Sequence, residues 1–134
     1  NLGLTLTGGK NDVINKDLTD PVASLMGAYD SEYSVANKAT YYTADLGYTF
    51  KNVKQIGNIT PYFMYSKYDK DLAGAKDSIR NILGVSVEHK KLALTAEYIM
   101  SKNDPFIGGN QDSLAMGDDN QWNKLLNLTL FYYF

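Results

Sequence analysis

The sequence predicts an all-β fold: an antiparallel meander of about six long strands. Three observations carry this. Apolar side chains recur with period two in stretch after stretch, which is the periodicity of a strand with two unlike faces. Tyr and Phe, which suit strands, number 11 and 5 among the 134 residues. The segments between the alternating stretches switch in turn between long and short.

The opening stretch, near 1–9, sets Leu2, Leu4 and Leu6 against Gly3, Thr5 and Thr7. Near 39–50, Tyr42, Ala44, Leu46, Tyr48 and Phe50 alternate with Tyr41, Thr43, Asp45, Gly47 and Thr49. Near 58–68, Ile59, Pro61, Phe63 and Tyr65 oppose Thr60, Tyr62, Met64, Ser66 and Tyr68, with aromatics on both faces. Near 78–89, Leu83, Val85 and Val87 oppose Arg80, Ile82, Gly84, Ser86 and Glu88. Near 92–102, Leu92, Leu94, Ala96, Tyr98 and Met100 oppose Ala93, Thr95, Glu97 and Ile99. The last stretch, 122–134, puts Trp122, Leu126, Leu128, Leu130, Tyr132 and Phe134 on one parity, with Lys124 the single charge among them. A long charged side chain near a strand end can snorkel to water. Between the first two strands, "TDPVASLMGAY" reads as a short helix, with Asp20 as N-cap and Pro21 at the first helical position. Gly8-Gly9 and Gly108-Gly109 read as turn residues at strand ends.

In an antiparallel meander successive connections lie at opposite ends. The gaps 10–38, 69–77 and 103–121 therefore share one end, and 51–57 and 90–91 the other. Charge follows the same division. Lys51, Lys54, Lys90 and Lys91 occupy the short-turn end without a carboxylate, whereas most of the 15 acidic residues fall in the long gaps. Several strands reach the roughly 9–11 residues that cross a bilayer when tilted. Sorting of long loops from short turns is the habit of transmembrane β-barrels. The fold expected is thus an antiparallel transmembrane β-barrel, with 1–134 a single domain and 10–38 a long extracellular or constricting loop within it.

Composition narrows the function. The net charge of -2 supplies no basic field for nucleic acid. The absence of Cys removes disulfides and thiolate metal sites. No run approaches the roughly 18 apolar residues of a membrane-crossing helix. His89, the one histidine, adjoins a turn, which excludes a multi-His metal centre and weakens any His-based triad. Asp45 and Glu97 stand three strands apart, roughly 14 Å at about 4.8 Å per strand, beyond the carboxylate spacing of glycoside hydrolysis. "GGNQDSLAMGDDNQ" is rich in oxygen donors, with Asp112, Asp118 and Asp119, but lacks EF-hand spacing and reads as a solvated acidic loop. No enzyme chemistry, cofactor or metal is expected.

The last strand resembles those of outer-membrane β-barrel proteins of Gram-negative bacteria, porins in particular. In that family it typically ends in Phe with apolar residues alternating back from it, and here Phe134, Tyr132, Leu130, Leu128 and Leu126 match. The resemblance implies an integral protein of the bacterial outer membrane, with Phe134 read by the barrel-assembly machinery. It implies outer-membrane lipid, the remaining strands of the same barrel and a homotrimeric assembly as partners, and no nucleic acid. Single-chain barrels have at least eight strands. Six strands are therefore expected to be the C-terminal part of a longer barrel rather than a disguised eight-stranded one.

On this reading Leu83, Val85, Leu94, Tyr98, Leu126, Leu128 and Leu130 face lipid, and Trp122, Tyr132 and Phe134 supply the aromatic girdles. Tyr41, Thr43, Asp45, Tyr62, Tyr68, Arg80, Glu88, Thr95, Glu97 and Asn127 line the pore. Asp45 and Glu97 would favour cations, or else form ordinary wall hydrogen bonds; Arg80 is the one basic lining candidate. The function expected is passive diffusion of small hydrophilic solutes or ions through a water-filled channel. Two other functions fit the same pattern less well: a small closed barrel acting as adhesin or anchor with a packed interior, and a soluble β-barrel binding an apolar ligand.

Overall fold

The structure is a computed structural model that describes residues 1–14, 16 and 22–134. Those residues form nine strands and no helix: β1 (Leu2–Asp12), β2 (Ala23–Ala28), β3 (Ser31–Ala36), β4 (Lys38–Tyr48), β5 (Phe50–Val53), β6 (Gly57–Lys70), β7 (Ser78–His89), β8 (Leu92–Lys102) and β9 (Asn123–Tyr132). The main sheet has the order β1-β4-β6-β7-β8-β9, with β5 beside β6, and every pairing is antiparallel. The segments 22–37, 71–77 and 103–122 therefore emerge at one end. The other end holds the turns at 54–56 and 90–91. β1 and β9 form the two edges and do not pair with each other.

Register makes the two faces continuous across the sheet. Leu4, Leu46, Phe63, Leu83, Tyr98 and Leu126 form one cross-strand row. Next to it lie Pro61, Val85, Ala96 and Leu128, and then Phe50, Ile59, Val87, Leu94 and Leu130. This apolar face is the exposed one: Leu126, Leu128 and Leu130 are 64%, 66% and 67% accessible. Burial instead concentrates in the loop cluster and at small positions such as Ala39, Ala93 and Ser101. The chain is thus apolar outward, the reverse of a domain whose core lies between layers.

Three local expectations are corrected. Residues 23–28 form no helix; β2 and β3 make a hairpin. Tyr29 (φ 49°) and Asp30 (φ 59°) both adopt left-handed conformations, as a two-residue type I′ turn requires. Asp20 and Pro21 lie outside the described residues. The strand expected over 39–50 breaks at Thr49, whose N–H donates to Asn1 O at 2.7 Å, and β5 carries the pairing with β6 onward. Gly8 and Gly9 do not end a strand: both lie inside β1. At Gly9 a Cβ would stand 2.5 Å from Tyr41 Cζ, so the glycine makes room for a ring rather than for a turn.

Candidate functional site

The second face of the main sheet carries every residue expected to line a pore: Tyr41, Thr43, Asp45, Tyr62, Tyr68, Arg80, Glu88, Thr95, Glu97 and Asn127 share it by register. Leu83, Val85, Leu94, Tyr98, Leu126, Leu128 and Leu130 share the other, with Tyr132 at its short-turn end. Trp122 precedes β9 at the loop end. Phe134 packs edge-on against Tyr132, centroids 5.2 Å apart.

From the short-turn end upward, the polar face changes character row by row. Glu88 stands first, exposed, beside Asn58 and Ala93. Thr60, Ser86, Thr95 and Thr129 follow as a band of hydroxyls, extended by Thr49, whose Oγ1 is 3.0 Å from that of Thr60.

The next row runs Gly3, Gly47, Tyr62, Gly84, Glu97, Asn127. Here the Tyr62 ring lies across Gly84, where a Cβ would collide with it. Its hydroxyl thereby reaches Glu97 and donates to Oε1 at 2.6 Å, while Asn127 Nδ2 donates to Oε2 at 2.9 Å. Both carboxylate oxygens are occupied, so Glu97 sits in a hydrogen-bonded network on the polar face.

Asp45 differs. Its row is Thr5, Asp45, Met64, Ile82, Ile99, Leu125. Four apolar side chains follow it, and Asp45 Oδ1 is shielded from solvent without a hydrogen-bond partner. Asp45 and Glu97 are three strands apart, as the sequence indicates, and also two residues apart along the strands.

Above them Arg80 meets Asp104 in a two-pronged ion pair: Nε donates to Oδ2 at 2.6 Å and Nη2 to Oδ1 at 2.8 Å. Asp104 is only 6% exposed at its side chain. Phe106 lies beside the guanidinium at 6.0 Å, and contacts Tyr33 at 5.1 Å and Tyr29 at 5.7 Å between centroids. The segment 103–122 is thus fastened to the polar face and to the β2–β3 hairpin together. A pocket of about 170 Å³ lies beneath, bounded in part by Tyr41, Thr43, Tyr68, Arg80, Phe106 and Leu114. Tyr68 donates its hydroxyl to Ala36 O at 3.1 Å, tying β6 to the hairpin.

The loop cluster has its own buried frame. Lys70 closes β6 beyond the apolar band, and its Nζ donates to Lys76 O at 2.6 Å and Ser113 O at 2.5 Å. Burial pushes the Lys70 ammonium down to about 8, against a smaller opposing pull from Asp77. Asn103 is buried, donates to Asp77 O at 2.7 Å and accepts from Asp118 N–H at 2.9 Å. Burial alone would raise the Asp77 carboxyl, but bonds and charge from Lys67 and the Lys70 N–H outweigh it and hold Asp77 below the usual carboxylate range.

Sequence periodicity brought out the polar face but not the groups that close it. Asp104, Phe106, Lys70 and Ser113 lie in loops or at a strand tip, where period two carries no information. Asp104-Pro105 reads only as a turn. Among the described residues no cluster of three or more acidic or imidazole groups could hold a metal ion.

Comparison with protein-family models, curated proteins and solved structures finds no match to this chain.

Proposed function

We propose that this chain forms part of the wall of an outer-membrane porin, a water-filled channel for passive diffusion of small hydrophilic solutes or ions. The observation that carries this is the inside-out sheet. A whole cross-strand row of Leu, Phe and Tyr stands exposed on one face, with Leu94, Leu128 and Leu130 beside it, while acids, amides and hydroxyls lie on the other. In water such a surface far exceeds the few hundred Å² of contiguous apolar patch that soluble monomers carry. In a bilayer the same face is satisfied by lipid.

The dimensions agree. β8 has 11 residues from Leu92 to Lys102. Ten steps at roughly 3.4 Å give about 34 Å along the strand, and about 26 Å along the membrane normal at a tilt of about 40°. The apolar band of an outer-membrane barrel is about 25 Å tall. Free edges at β1 and β9 are untenable in hydrocarbon, so both pair with further strands of the same barrel.

Solutes then pass along the polar face without any chemical step. Among the described residues its three carboxylates, Asp45, Glu88 and Glu97, have no ion-pair partner; Asp104 neutralises Arg80, and Lys70 on the same face is buried in the loop cluster. Such a wall favours cations over anions.

The Met64–Ile82–Ile99–Leu125 row favours a second reading, a closed barrel with a packed interior that anchors its loops as an adhesin. Single-channel recording of the full-length protein in planar bilayers separates the two. Discrete conductance steps support the porin. A folded, inserted protein that never conducts removes it and leaves the anchor.

A further inference from the structure

We infer that Lys102, Lys124 and Trp122 form a binding site for the phosphate of an anionic lipid headgroup on the outward face of the barrel. The inference rests on the membrane-wall reading above and adds a partner to it.

Register places the three residues together. Met100 pairs with Lys124 and Ser101 with Asn123, so Lys102 lies opposite Trp122. Lys102 Nζ stands 5.6 Å from the centroid of the indole. Lys124 has the outward parity of Leu126, Leu128 and Leu130, one position above them on that face. Both lysines thus sit where the apolar band ends and the loops begin.

They differ in pairing from Lys67 and Lys38 of the same rim. Lys67 pairs with Asp77 at 2.8 Å and Asp69 at 3.2 Å, and Lys38 approaches Asp12 at 3.8 Å. Among the described residues neither Lys102 nor Lys124 has a carboxylate within ion-pair distance. Two ammonium groups without a carboxylate partner therefore share one face with an exposed indole, on adjacent cross-strand rows.

That chemistry selects its occupant. Indoles settle at the lipid–water interface, and lysine stems run along apolar surface while their heads reach the headgroup layer. There an anionic phosphate meets two positive charges, each worth about fivefold in affinity near an anionic surface. A zwitterionic headgroup offers no comparable net attraction. Pairing of the β9 edge with a further strand leaves the site open, because that pairing runs in the plane of the sheet and the three side chains stand out of it.

The one Trp in this sequence makes the site observable. The full chain is reconstituted in phosphatidylcholine vesicles, and Trp122 fluorescence is quenched with phosphatidylglycerol or phosphatidylcholine carrying brominated acyl chains. The expected result is a preference of about fivefold or more for phosphatidylglycerol. The double variant Lys102→Gln, Lys124→Gln should bring the two lipids to equality. Equal quenching in the unsubstituted chain overturns the proposal, as does a preference that survives the double substitution. Loss of the preference on adding inorganic phosphate would make this a free-phosphate site, and also overturns it. If neither lipid quenches Trp122, the membrane-wall reading itself fails, which is a separate outcome.

Discussion

Tyr62 reaches Glu97 across a whole strand: its ring spans Gly84, and its hydroxyl donates to Glu97 Oε1 at 2.6 Å. The bond exists because the intervening strand has no side chain at that level. Gly84→Val should therefore act through Tyr62. The new side chain displaces the ring, breaks the bond and overpacks the wall, destabilising the protein by about 1–3 kcal/mol. Tyr62→Phe should remove only the hydrogen bond to a charged acceptor, about 1.5–3 kcal/mol. The two changes should be strongly non-additive, since the first already removes what the second removes. Denaturant unfolding from lipid vesicles measures all three variants, and simple additivity would defeat the coupling.

Arg80 and Asp104 fasten the segment 103–122 to the polar face, and the carboxylate is nearly sequestered. Arg80→Leu leaves that carboxylate buried without its partner, a loss of about 3 kcal/mol. The Phe106 contact with Tyr33 and Tyr29 remains, so local release of the loop is expected rather than collapse of the sheet. Limited proteolysis should then cut within 103–122 while heat resistance of the folded protein is retained. Unchanged cleavage would show that the aromatic contacts alone hold the loop.

The main sheet was legible in the sequence, and the loop cluster was not. All six long strands, their order and the facing of residues such as Asp45, Arg80 and Leu128 follow from parity, because one face is apolar through its middle rows. A shift of one residue would expose every polar side chain on that face. The β2–β3 hairpin escaped because its turn is Tyr29-Asp30, without the Asn-Gly or Asp-Gly signal. The partner of Arg80 escaped for another reason. Asp104 belongs to a loop whose position is set by contacts between distant segments, such as Ala36 N–H to Leu114 O at 3.0 Å, and local pattern holds no record of those.

Lys70 gives the loop cluster a pH dependence. Its ammonium is held at about 8, below its ordinary value of 10.5, chiefly by burial. Between those values the unfolded chain binds the proton and the folded chain does not. Stability therefore rises with pH across about 8 to 10.5, by roughly 3 kcal/mol over the whole window. The neutral amine keeps two N–H groups, enough for Lys76 O and Ser113 O. Lys70→Met should abolish this rise, although it also leaves those carbonyls poorer in donors. Unfolding free energies of both proteins between pH 7.5 and 10.5 test it, and parallel curves would remove Lys70 as the source.

Leu128 and Thr129 are neighbours on β9 with opposite facing: Leu128 pairs beside Ala96 in the apolar rows, Thr129 beside Thr95 in the hydroxyl row. An arginine at each should separate the faces. If the apolar face meets lipid as proposed, Leu128→Arg places a guanidinium against hydrocarbon, and near the midplane this should destabilise the inserted protein by about 2–4 kcal/mol. Thr129→Arg places it on the polar face among hydroxyls, within reach of water, with little loss of stability. On the porin proposal it should instead shift selectivity toward anions, by adding a cation to a face that carries Asp45, Glu88 and Glu97. Unfolding from defined vesicles reads the first effect, and reversal potentials across a salt gradient read the second. Equal destabilisation by the two arginines would mean that both faces meet the same medium. A soluble fold with a covered apolar face would then replace the membrane wall.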